Sequence, residues 1–90
     1  MKAMSKKLKK GKVAKVLKQG GFVQFMFGGS LFCLVMMEEG LGSEKFFLKR
    51  SGSVITKHRS LEGLLESATR FLQSRTRVEM FVPQERFKLV

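Results

Sequence analysis

Eight lysines fall within the first eighteen residues, at Lys2, Lys6, Lys7, Lys9, Lys10, Lys12, Lys15 and Lys18, and no acid interrupts them. Ammonium groups at that density can neutralise a polyanion, because each lysine placed on a phosphate releases condensed counterions. A second group, Lys45, Phe47, Lys49, Arg50, Lys57 and Arg59, interleaves cations with an aromatic ring. Cations that track a backbone around an exposed ring suit a single strand, where stacking contributes about 1–3 kcal/mol per base. Phe47 has a plainer alternative, burial against a neighbouring strand or subunit. The lysine-rich start likewise has one, a solubilising tail.

Other chemistry lacks its residues. The chain holds one histidine, His58, one cysteine, Cys33, and no Asp, Tyr or Trp. A serine–histidine–carboxylate triad has no nucleophile-elbow motif to build on. Two Cys or His side chains are too few for a zinc site. Glu38, Glu39 and Glu44 lie in a glycine-bearing stretch and read as solvated loop acids. His58, just before a helix, reads as a solvated junction residue, and Cys33 as an inert core thiol. No enzyme, metal or cofactor is therefore expected. The single cysteine suits a reducing compartment. No apolar run approaches the roughly 20 residues of a membrane span, and no apolar segment follows the basic start as in a secretory signal. The expectation is a soluble cytoplasmic protein with no membrane partner.

The elements that must position these residues are organised around 21–37. Two apolar runs flank Gly28-Gly29, which is a strong hairpin signal. A two-residue turn pairs Phe27 with Ser30, Phe25 with Phe32, and Val23 with Leu34 on the core face. The opposite face carries Phe22, Gln24, Met26, Leu31, Cys33 and Val35. It is also largely apolar, so something else is expected to cover it.

A second hairpin is read from 45–50 and 53–57 around Ser51-Gly52, with Phe46, Leu48 and Ile55 on one face and Lys45, Phe47, Lys49, Val54 and Thr56 on the other. Ser60 reads as the N-cap of a helix over about 60–75, with Leu61, Leu64, Leu65, Ala68, Phe71 and Leu72 as its apolar stripe. It is expected to cross the core face. The alternation in 77–82 predicts a last strand ended by Pro83, and 86–90 a short edge strand or docking tail. The segment 11–18 fits two elements. A strand is preferred because a short helix holding Gly11 is weak in isolation. The helical alternative clusters Val13, Val16 and Leu17 ahead of a Gly20-Gly21 stop.

The fold expected is α+β: a flexible basic arm over 1–10, then one domain over 11–90. Its antiparallel sheet has four or five strands, from two hairpins and a last strand, with one helix across a face. This element order, over about residues 11–75, resembles the sheet-plus-helix modules of single-strand binders such as the Whirly and PUR families. The resemblance implies nucleic-acid binding and frequent homodimers. The net charge of +11 agrees, since residues 19–90 hold ten basic against seven acidic side chains and the excess sits at the start. The expected function is binding of single-stranded or transcription-linked DNA or RNA, mainly by phosphate contacts from Lys6, Lys7, Lys9, Lys10, Lys12, Lys15, Lys18 and the second-hairpin cations, with Phe47 stacking. The alternative is an adaptor or inhibitor docking on a host protein through the second apolar sheet face, its lysines steering association.

Overall fold

Gly28 and Gly29 carry φ of +60° and +80°, the left-handed pair that a primed two-residue turn requires. They join β1 (Phe22–Phe27) to β2 (Ser30–Glu38). The register is the expected one: Val23 faces Leu34, Phe25 faces Phe32, and Phe27 faces Ser30. In this computed structural model, residues 8–38 and 44–83 are described. The arm residues 1–7, including Lys6 and Lys7, and the alternating tail 86–90 lie outside them.

β3 (Glu44–Arg50) and β4 (Ser53–His58) form the second hairpin, turned by Ser51 and Gly52 at φ +50° and +89°. β5 (Glu79–Phe81) then pairs antiparallel with β1, shorter than the expected 77–82. The result is one five-stranded antiparallel sheet in the order β4-β3-β2-β1-β5. Glu38 and Glu44, expected in a loop, instead face each other as paired strand ends.

Two helices cover one face of this sheet, where one was expected. Residues Lys10–Lys18 form α1, not a strand. Its buried stripe is Val13, Val16 and Leu17, the cluster of the helical alternative. It ends in a Schellman motif: Gly20, at φ +83°, donates to Leu17 O at 3.0 Å and Gly21 donates to Val16 O at 2.9 Å. Tertiary packing overrides the weak intrinsic tendency of so short a helix. The arm boundary moves accordingly, since Lys10 opens α1 and Leu8 packs against the core.

α2 (Leu61–Thr69) starts on Ser60, whose Oγ accepts from Gly63 N at 3.1 Å. The helix stops at Thr69, short of the expected end near residue 75. Arg70, Phe71 and Leu72 donate to residues three back, a tightened last turn that still sends Phe71 and Leu72 inward. Thr69 Oγ1 donates to Leu65 O at 2.7 Å, a local competitor for the backbone. The core between helices and sheet is apolar throughout: Val13, Leu17, Val23, Phe25, Phe32, Leu34, Leu48, Leu64 and Leu72 are all but inaccessible.

Ile55 is not in this core. Lys49 faces Val54 and Leu48 faces Thr56, so Ile55 is the extra residue of a β-bulge. The bulge turns Thr56 toward the helices and leaves Ile55 exposed.

Candidate nucleic-acid interface

The buried stripe of α1 determines where its lysines go. With Val13, Val16 and Leu17 against the sheet, Lys15 and Lys18 lie on the opposite side and Lys12 on its flank, all exposed. They recur every third residue, so their Cα atoms rise by about 4.5 Å from one to the next and form a ridge. Among the described residues none of the three is ion-paired. Lys9, also exposed, is the N-cap residue and makes no side-chain capping bond. Lys10 turns aside and pairs with Glu62 in the first turn of α2. This hydrogen bond and charge hold the Glu62 carboxyl below its ordinary value.

The second-hairpin cations lie elsewhere. Alternation along paired strands puts Lys45, Lys49 and Lys57 on the sheet face that the helices leave uncovered. Arg50 lies on the other side, exposed, with Nε donating to Ser30 Oγ at 3.2 Å. Arg59 is exposed just beyond β4. The thickness of the sheet and α1 therefore separates the α1 ridge from Lys45, Lys49 and Lys57. The two lysine groups do not form one track.

Phe47 offers no open stacking face. Its side chain is only 7 % exposed, and Lys57 Nζ sits 5.9 Å from the ring centroid. Position alone placed it on a sheet face with cations on either side; the burial depends on neighbours that alternation does not reveal.

His58 is not a purely solvated junction residue. It is half-buried, with Nε2 at 2.9 Å from Thr56 Oγ1, which in turn lies 3.3 Å from Ser67 Oγ of α2. That chain ties β4 to α2 and serves the fold. Cys33 is half-buried on the uncovered sheet face. Burial pushes its thiol pKa up, against the pull of Lys49 directly opposite on β3. A raised pKa disfavours the thiolate and hence nucleophilic use.

Sequence reading passed over Arg75 and Arg77. Both are exposed and line a cleft of about 450 Å³ with Gln24, Met26, Leu31 and Glu79. The only signal was Arg-Thr-Arg between a helix and a strand. Gln24 Nε2 donates to Glu79 Oε1 at 3.0 Å across the β1–β5 pair.

Among the described residues no cluster of three His, Cys, Asp or Glu could hold a metal ion, and no helix is long and apolar enough to cross a membrane. No protein-family model matches the chain, and no curated protein or solved structure matches it, so the resemblance to single-strand-binding modules gains no support beyond element order.

Proposed function

We propose that this protein binds nucleic acid through the outer ridge of α1, with the lysines that precede it in sequence extending the contact. One observation carries the reading. Lys12, Lys15 and Lys18 line the solvent side of a helix whose opposite side is locked into the core, with no carboxylate paired to any of them among the described residues. A row of exposed ammonium groups on a helix held by the core suits phosphates. It suits base edges poorly, because lysine is a flexible point charge rather than a planar fork. Binding is then dominated by the backbone and tolerant of sequence.

The test is fluorescence anisotropy of labelled single- and double-stranded DNA and RNA across a salt series, on the full chain. Replacing Lys12, Lys15 and Lys18 by Gln removes three phosphate contacts. It should lower the magnitude of the log–log salt slope by roughly 2–3, at about 0.7–0.9 per contact. Lys49→Gln, on the far side of the sheet, should leave the slope unchanged. An unaltered slope in the triple variant overturns the assignment to α1. Absence of binding to every probe at moderate salt overturns the function.

A further inference from the structure

The sheet face away from the helices is apolar along its middle and cationic on both sides. Met26, Leu31 and Met37 are 55 %, 41 % and 53 % exposed on β1 and β2, and the half-buried Cys33 and Val35 continue the strip. Contiguous apolar surface of this kind marks an interaction site rather than ordinary solvent exposure. On one side the strip is bordered by Lys45 and Lys49 of β3 and Lys57 of β4. On the β1 side, Arg75 and Arg77 line one cleft with Met26 and Leu31. The acid of this face among the described residues is Glu79, and its Oε1 already accepts from Gln24 at 3.0 Å. Glu38 and Glu44 fall on the helix side, in a cleft with Leu17 and Lys18. Both borders are therefore positive, and a second copy of the same face would be repelled.

The dimensions of the strip narrow the partner further. Leu31 to Met37 spans about 20 Å at about 3.4 Å per residue, a length that a helix covers in about 13 residues. β1 and β2 together are about 10 Å wide, close to the diameter of one helix with its side chains. Met26 and Met37 are the most exposed apolar side chains on it, and thioethers adapt readily to the uneven surface of an apolar helix stripe. Bases find little to stack on along this strip: Phe47 is buried, and Phe81 is stacked on Phe22 toward the β5 edge.

We propose that this face holds an acidic amphipathic helix of another protein, about four turns long, lying along β2. Its apolar stripe covers Met26, Leu31 and Met37. One acidic flank meets Lys45 and Lys49, and the other meets Arg75 and Arg77. Such charges on the rim steer the encounter and reject basic helices, while the apolar strip holds the bound state. Charge complementarity on both flanks of an apolar strip is why this occupant is chosen. The assignment does not depend on nucleic-acid binding by α1, which lies on the other side of the sheet.

The test uses the full chain and two synthetic peptides of about 16 residues. One carries a leucine stripe flanked on both sides by glutamates. The other has the same composition with the leucines spread around the helix, so both bring equal charge to the lysines near the N-terminus. The readout is the rate at which N-ethylmaleimide alkylates Cys33, the one thiol of the chain, which sits within the strip. The striped peptide should slow alkylation at least tenfold at saturation, and the scrambled peptide should not. This comparison needs no variant to fold. Lys49→Glu and Arg77→Glu, one on each border, should each raise the Kd of the striped peptide roughly tenfold, with far-UV dichroism unchanged. Replacing Lys12, Lys15 and Lys18 by Gln should leave the protection at saturation intact. Equal protection by the two peptides, or none, overturns the proposal, and so does a Kd indifferent to either border. Protection given only by phosphatidylserine vesicles or by oligothymidylate also overturns it, as does a Cys33 already shielded in a dimer of twice the 10.2 kDa chain mass.

Discussion

Phe25 of β1 and Phe32 of β2 stand directly opposite each other, with rings within 5° of parallel and centroids 5.4 Å apart. Phe32 also stacks on Phe71 at 4.6 Å and makes a T-shaped contact with Phe27 at 6.1 Å. One ring thus joins the first hairpin to the turn that follows α2. Both Phe25 and Phe32 are 2 % exposed. Phe32→Ala should cost about 3–5 kcal/mol, a large share of the roughly 5–15 kcal/mol that holds a domain together. Urea denaturation checks this: the midpoint should fall sharply with little change in slope.

Two glycines near α1 should respond in opposite directions to the same change. A Cβ on Gly21 would sit 2.0 Å from the carbonyl oxygen of Phe81 and 2.9 Å from Val16. Gly21→Ala should therefore push β5 off β1 and lower the melting temperature. Gly11, inside α1, has nothing within 4 Å of its would-be Cβ. Gly11→Ala should stabilise by about 0.5–1 kcal/mol through helix propensity. Thermal unfolding of both variants decides the pair.

Thr56 owes its inward position to the bulge at Ile55, and it bonds both His58 and Ser67. Thr56→Val keeps the β-branch and volume but removes the hydroxyl. The loss should be about 1–3 kcal/mol, because His58 and Ser67 are left partly buried with a partner missing. Chemical denaturation measures it.

Glu62 supplies a pH-dependent contribution. Its folded pKa lies below the unfolded value because of the Lys10 hydrogen bond. The carboxylate therefore stabilises the fold above the unfolded carboxylate pKa, and the contribution is lost as pH falls through the depressed folded value. Glu62→Gln should melt below wild type at neutral pH and converge with it in acid. Because the pair is exposed, the difference should also shrink with added salt.

The hairpins were legible because their signals are local. Gly28-Gly29 and Ser51-Gly52 supply left-handed turn residues, and side-chain alternation then sets the pairing, down to Phe25 against Phe32. Ile55 was misplaced because Val54, Ile55 and Thr56 have similar β propensity, and nothing in a run of three marks which one is extra. α1 was misread for a different reason. Its pattern at Val13, Val16 and Leu17 was visible, and so was the Gly20 stop, but a short helix forms only when the sheet and α2 receive it. The candidate interface was half legible. Composition located the lysines of α1 but could not tell that the sheet separates them from Lys49, or that the Phe47 ring is buried.

The pairing of Phe22 with Phe81, stacked at 4.9 Å, has a kinetic consequence. β1 to β4 form a simple meander in which each strand pairs with its sequence neighbour. Such contacts close short loops and form early. β5 joins β1 only after the chain between Phe27 and Glu79 has been wound into three strands and a helix, so its closure entropy is the largest in the sheet. The edge strand should be the last to order in folding and the first to open in the native state. Its amides, near Gly21, should exchange with solvent well before those of β2.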